Sequence, residues 1–194
     1  MCDSAKSVAV LASGTGTLLK AIIDNQESRY RVDLVVADQI CPAVQRAKNA
    51  GIRTAVVPME ENRNAWNEKM VAAVASVDPD LVVSAGFMRL LGPAFVKEFA
   101  GRTINTHPSL LPAFPGAHAV RDALDHGVKV TGCTVHYVDA GLDSGEIIAQ
   151  RAVEVEAGDT EFELHERIKK AEREQIVHLL HHAELVNGKV VFNV

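Results

Sequence analysis

The segment Ser7–Ala12 reads Ser-Val-Ala-Val-Leu-Ala, apolar at five positions in a row and without alternation. A strand with one wet face would alternate, so this one is buried on both faces. It breaks into Ser13-Gly14-Thr15-Gly16-Thr17, and a helical pattern follows with Leu18, Leu19, Ile22 and Ile23 on one side. Similar units come next. Arg31–Asp38 reads as strand, Pro42–Asn49 as a helix stopped by Gly51, and Arg53–Val57 as strand. Asn62–Val77 reads as helix, with Ala65, Trp66, Met70, Ala73 and Val74 in helical register. Asp80–Ser84 is a fourth strand, Pro93 opens a helix through Phe99, and Thr103–Thr106 is a fifth strand. Alternating strands and helices predict an α/β fold, a single domain over residues 1–194. Its sheet is Rossmann-like and mostly parallel, with helices on both faces.

The second half departs from strict alternation. A helix over Val120–His126 precedes two strands, Lys129–Val138 and Glu146–Val155, joined by the loop Asp139–Gly145. Asp159 or Thr160 caps a long helix, Thr160-x-x-Glu163 matches a capping box, and the helical pattern runs to about Leu185. Asn187-Gly188 turns the chain into a last strand, Val190–Phe192. A formal net charge of -5 disfavours nucleic acid as the main partner. Cys2, Cys41 and Cys133 are widely spaced with no C-x-x-C, which fits reduced thiols in a cytoplasmic protein. No signal-type segment or membrane span is expected.

Three stretches follow strand ends and should share one rim, because ligands of parallel sheets sit beyond the carboxyl ends of the strands. They are Ser13–Thr17, Phe87–Leu91 and Asn105–His107. Residues two apart on an extended segment project to one side, so Asn105 and His107 face one point. An amide donor and an imidazole suit chemistry on a carbonyl. The glycine loop, with hydroxyls at Ser13, Thr15 and Thr17, fits a single phosphate at a helix N-terminus. Gly14-x-Gly16 with Asp38 after the next strand also fits part of a dinucleotide fingerprint, but position 19 is Leu19 where a third glycine belongs. A plain tight turn remains a third reading of that loop. Asp143 lies in a loop bent at Gly141 and Gly145, placed to pair with His107; a solvated aspartate in a turn is the plainer alternative. His178, His181 and His182 share one helix, and a solvated face explains them better than a metal site.

Three strings occur together and in order: Ala-Gly-Phe-Met-Arg-Leu-Leu (85–91), Asn-x-His-Pro-Ser-Leu-Leu-Pro-x-Phe-Pro-Gly (105–116) and Leu-Asp-Ser-Gly (142–145). With them the chain closely resembles the phosphoribosylglycinamide formyltransferase family, over nearly its whole length. The resemblance implies the formyltransferase fold. It implies transfer of the formyl group of 10-formyltetrahydrofolate to the amine of 5'-phosphoribosylglycinamide in de novo purine biosynthesis. The co-substrate carries the one-carbon unit, and no metal is expected. Asn105, His107 and Asp143 are implied as the catalytic trio. The ribonucleotide is expected at Ser13, Gly14, Thr15, Gly16, Thr17, Leu18, Leu19 and Lys20, and at Pro108, Lys169, Lys170, Ala171 and Glu172, the last matching the family's ribose-binding acid. The folate is expected at Arg63, at Phe87, Met88, Arg89, Leu90 and Leu91, at Asn105, and at Val138, Asp139, Ala140, Gly141, Leu142 and Asp143. The family's loop reads Ser-Gly-x-Gly-Ser-Asn where this chain has Ser-Gly-Thr-Gly-Thr-Leu, so Leu18 can offer only its backbone N–H. The resemblance also points to a cis Leu111–Pro112 bond.

Two relatives with the same central string are expected to differ elsewhere. Methionyl-tRNA formyltransferases carry an added basic RNA-binding domain, and formyltetrahydrofolate hydrolases an added N-terminal regulatory one. A dinucleotide-binding oxidoreductase would need bound NAD(P). The expected partners are the two small-molecule substrates, without nucleic acid or membrane, in a monomer or homodimer.

Overall fold

The computed structural model describes residues 5–192. Cys2 lies outside them. In chain order the elements are β1 (Lys6–Ala12), α1 (Thr17–Asp24), β2 (Tyr30–Ala37), α2 (Pro42–Asn49), β3 (Arg53–Val56), α3 (Arg63–Ala75), β4 (Leu81–Ser84) and α4 (Pro93–Glu98). Then come β5 (Thr103–His107), α5 (Ala119–Asp125), β6 (Val130–Tyr137), β7 (Ile147–Glu154), α6 (Glu161–His182), β8 (Ala183–Val186) and β9 (Lys189–Phe192). Seven strands form one sheet in the order β3-β2-β1-β4-β5-β6-β7. The pairings from β3 to β5 are parallel, and those of β6 and β7 are antiparallel.

The unbroken apolar run of β1 serves two cores at once. Val8, Val10 and Ala12 pack on one face with Leu19 and Ile22 of α1, Ala43 and Ala47 of α2, and Ile176, Leu179 and Leu180 of α6. Ala9 and Leu11 pack on the other face with Trp66, Met70 and Val74 of α3 and Phe95 of α4. Burying each such side chain is worth about 1.5–3 kcal/mol, so sheet and helices stabilise one another from both sides. Strand order reverses beside β1, between β2 and β4, and the crevice of such a sheet opens there.

Two ends differ from the sequence pattern. The fifth strand continues through His107, because that residue still pairs across to Thr134 of β6. The last helix stops at His182 rather than near Leu185. Ala183 is already extended (φ -67, ψ 135), and Ala183–Val186 pairs with Lys189–Phe192 across Asn187-Gly188, both with positive φ. The hairpin prevails because Ala183 and Val190 enter the first core, whereas further helical turns would not bury them together. The Thr160 capping box is formed, with Glu163 N donating to Thr160 Oγ1 and Thr160 N donating to Glu163 Oε2.

Candidate active site

The face of β5 decides which residues meet. Ile104 packs in the first core and Thr106 faces Glu172 of α6, so Asn105 and His107 take the opposite face. The antiparallel register sets Asn105 beside His136 and His107 beside Thr134. Cys133 and Val135 turn toward α6, which leaves Thr134 and His136 on the Asn105–His107 face. Four polar side chains thus share one patch of sheet.

Their hydrogen bonds fix orientations. His136 Nδ1 lies 2.9 Å from the Tyr137 carbonyl oxygen, which can only accept. Nδ1 therefore carries the proton, and Nε2 accepts from Asn105 Nδ2 at 3.2 Å. Burial lowers the pKa of His136 below the ordinary imidazole value, against the pull of the Tyr137 carbonyl and of Asp143. A neutral ring is what this bond needs, since a protonated Nε2 would point a hydrogen at the Asn105 amide. Asn105 spends one amide hydrogen on His136 and keeps the other.

His107 is buried, with Nε2 donating to the Phe114 carbonyl at 2.8 Å and Nδ1 lying 3.3 Å from Asp143 Oδ2. Both nitrogens thus lie beside oxygen acceptors. Asp143 has φ +50, a left-handed conformation that costs an aspartate free energy. It is held there by Gly116 N, which donates to Oδ2 at 2.9 Å, and its Oδ1 is 3.7 Å from His136 Nε2. The following turn requires Gly145, where a Cβ would sit 1.7 Å from the Tyr137 carbonyl oxygen. The proline loop is pinned from below by Thr134, which is fully buried. Its hydroxyl donates to the Ser109 carbonyl (2.7 Å) and accepts from Leu111 N (3.0 Å) and Gln150 Nε2 (3.0 Å). The Leu111–Pro112 bond is cis.

The glycine loop leads into α1 with Gly16 as its N-cap, and no side chain caps the helix. Its first N–H groups are left for another acceptor, and Thr15 and Thr17 are exposed beside them. Leu19 is fully buried in the core, so a ligand reaches it only through the backbone, and the exposed Lys20 pairs with Asp24. On α6, Glu172 is buried, and burial pushes its carboxyl pKa up to about 7, while the Thr106 hydroxyl, Lys169 and Arg173 pull it down. Lys169 stands one turn before it, bonded to Glu166 at 2.8 Å. Pro108 and Ala171 are half-buried, Ala171 against Leu164 and Ile168. Lys170 is exposed and, at 100° per residue, lies on the far side of the helix from Glu172.

On the wall of the crevice, Met88, Leu90 and Leu142 are 65%, 61% and 54% exposed. Phe87 differs from its neighbours: its ring is 9% exposed and stacks on Trp66 at 6.4 Å, so it supports the wall from behind. Leu91 likewise packs against the second core. Arg63 reaches across to donate to the Leu90 carbonyl at 2.9 Å and rests over Trp66. In the second wall, Asp139 Oδ1 accepts from Gly141 N (3.0 Å) and Ser144 Oγ (2.8 Å), shaping the turn from within. Ala140 and Gly141 are exposed beside it and Val138 is half-buried. Asp38 is ion-paired with Arg89 and its side chain is only 1% exposed, which removes it as a ribose ligand and ends the dinucleotide reading. The three histidines of α6 do not meet at one point: the His178 and His182 rings lie side by side with centroids 4.3 Å apart, while His181 packs edge-on against Tyr30.

The formyl transferase family model matches residues 6–180. The chain belongs to the formyl transferase family. It is 53% identical over 174 residues to the phosphoribosylglycinamide formyltransferase of Mycobacterium tuberculosis, covering 88% of this chain and 81% of that relative. The crystal structure of phosphoribosylglycinamide formyltransferase from Bacillus halodurans superposes with a TM-score of 0.87 at 41% identity, covering 91% of this chain and 94% of that one. Glycinamide ribonucleotide transformylase 1 from Symbiobacterium toebii superposes with a TM-score of 0.88 at 39% identity, over 97% and 94%. Of the four polar residues on this formyl transferase's β5–β6 face, His136 and Thr134 escaped the sequence reading. Their only signal was two polar residues two apart in an otherwise buried strand, and that becomes informative once β6 is placed beside β5.

Proposed function

We propose that the protein transfers the formyl group of 10-formyltetrahydrofolate to the amine of 5'-phosphoribosylglycinamide, a step of purine biosynthesis, at the Asn105–His107–Asp143 face. The observation that carries this is the convergence of an amide, a buried histidine and a carboxylate on one sheet face, near a helix N-terminus without a side-chain cap among the described residues. The glycine loop takes the phosphate through backbone N–H groups of Thr15 to Leu19, and Glu172 meets the ribose. Met88, Leu90 and Leu142 offer the apolar surface that a pterin ring needs. The attacking amine resembles an α-amino group, with a pKa near about 8, so a useful fraction is neutral at pH 7 without a strong base. Its attack on the formyl carbon turns the carbonyl oxygen into an oxyanion. The unspent Asn105 hydrogen and the His107 Nε2–H stabilise it, His107 exchanging the Phe114 carbonyl for the substrate oxygen. As the tetrahedral carbon collapses, the amine loses a proton and the departing folate nitrogen gains one, by way of His107 or a water held by Asp143.

The deciding assay offers 10-formyltetrahydrofolate with 5'-phosphoribosylglycinamide, methionyl-tRNA or water as acceptor. Turnover is expected with the ribonucleotide alone; transfer chiefly to tRNA or water would defeat the proposal. The phosphate loop gives a second expectation. Gly16 has φ +69, and a Cβ there would lie 2.8 Å from Ala43 Cα and Cβ, so Gly16→Ala should cost roughly 1–3 kcal/mol in urea unfolding. A Cβ on Gly14 meets nothing within 4 Å. Gly14→Ala should keep wild-type stability yet raise the KM for the ribonucleotide, with the folate KM unchanged. An unaltered ribonucleotide KM would move the phosphate elsewhere.

A further inference from the structure

The glycine loop is held from two sides, and the two holders are tied to each other. From the β2 side, Gln39 Nε2 donates to the Ser13 carbonyl at 2.8 Å and Arg46 Nε to the Thr15 carbonyl at 2.9 Å. From the β4 side, Met88 N donates to Ser13 Oγ at 2.9 Å. Arg89 Nε then donates to Asp38 Oδ2 at 2.6 Å, closing a ring through Asp38, Gln39, Ser13, Met88 and Arg89. The ring joins the loop assigned to the ribonucleotide phosphate to the wall assigned to the folate.

The pair that closes the ring is poorly built for stability alone. Asp38 is buried while the Arg89 side chain is 42% exposed, and Asp38 Oδ1 is buried with no hydrogen-bond partner among the described residues. A buried acceptor left unpaired costs free energy, and an apolar pair of similar size would serve packing as well. A buried polar group left unpaired calls for a reason. Here the pair spans the outer ends of β2 and β4, the strands on either side of β1. It is a direct side-chain link between the segment after β2 and the segment after β4.

We propose that Asp38 is a positioning residue that couples the two substrate subsites. Through Arg89 it fixes the Met88–Leu90 wall relative to Ser13, so that filling one subsite orders the other. A phosphate on the loop selects one arrangement of Ser13 to Thr17. Gln39 and Met88 follow Ser13, and the Asp38–Arg89 strap prevents them from moving apart. This inference rests on the proposed placement of the two substrates.

The test is calorimetric titration with 5'-phosphoribosylglycinamide and tetrahydrofolate, a pair with no formyl group to transfer, each alone and with the other saturating. In the wild type each should tighten the other at least about fivefold, the lower end of usual coupling between sites. In Asp38→Asn the factor should fall below about twofold, while the ribonucleotide alone binds as in wild type. Asp38→Ser, which leaves Arg89 on the folate wall in place, should behave alike and covers failure of Asp38→Asn to fold. A merely structural strap would lower the melting temperature and leave the coupling factor unchanged. That result overturns the proposal, as does a wild-type factor near one. If neither ligand binds the wild type, the proposed function fails instead.

Discussion

Asp143→Asn should lower kcat by roughly 10²–10³ while both KM values stay within a few-fold, the usual scale for losing one preorganised electrostatic partner. The carboxylate serves several groups at once. It accepts from Gly116 N at 2.9 Å, lies 3.3 Å from His107 Nδ1 and 3.7 Å from His136 Nε2. An asparagine keeps the shape and the Gly116 bond if its oxygen faces that N–H, but it places no negative charge beside His107 Nδ1. His107 then loses the anionic partner beside its Nδ1, and its Nε2–H donates less strongly to the oxyanion. Substrate binding relies chiefly on the glycine loop and on Met88, Leu90 and Leu142, and the exchange keeps the size of the one folate-wall side chain it alters. His107→Ala should cost a similar factor, and the double variant His107→Ala/Asp143→Ala little more than either single one, because the two groups act as a unit. Losses that multiply would show that Asp143 works independently of His107, by holding a water or the pterin.

Much of this arrangement was legible in the sequence, for identifiable reasons. The lack of alternation in Val8–Ala12 required two covered faces, and the structure assigns alternate residues of β1 to two cores. The spacing of Asn105 and His107 placed them together because period two is a property of any strand. Cross-strand relations were not legible. His136 acquires its meaning from its register opposite Asn105, and register is set by β6 returning antiparallel. Phe87 shares a motif with Met88 and Leu90, yet the chain turns its ring onto Trp66. A motif string names neighbours but not the direction in which each points. Asp38 shows the same limit, since its partner Arg89 is 51 residues away.

Glu172 should make the stability of the free protein fall as pH rises from about 4.5 to about 7, the interval between its ordinary and folded pKa values. In that interval the folded chain keeps a proton that the unfolded chain has released. Unfolding therefore becomes more favourable with rising pH, and the trend levels off above the folded pKa. At 1.36 kcal/mol per pKa unit the full effect is roughly 3 kcal/mol. Asp33 and Asp159, held below the ordinary carboxylate value chiefly by hydrogen bonds from Arg31 and Arg167, act in the opposite direction. Their contribution is lost only as pH falls through their lowered pKa values, but His136 and His165, whose imidazole pKa values burial lowers, gain stability with rising pH inside the Glu172 interval, so the Glu172 effect is read as the difference between wild type and variant. Glu172→Gln keeps the shape and removes the titration. The variant should match the wild type near pH 4.5 and exceed it in urea unfolding at pH 8. Yet the same exchange should weaken ribonucleotide binding several-fold, because an amide accepts hydrogen bonds from ribose hydroxyls less strongly than a carboxylate does. A burial cost that lowers stability at neutral pH while improving substrate binding is the trade expected of a binding-site acid. Parallel pH profiles for the two proteins would show that Glu172 ionises normally in the fold, and an unchanged ribonucleotide KM would remove it from the ribose site.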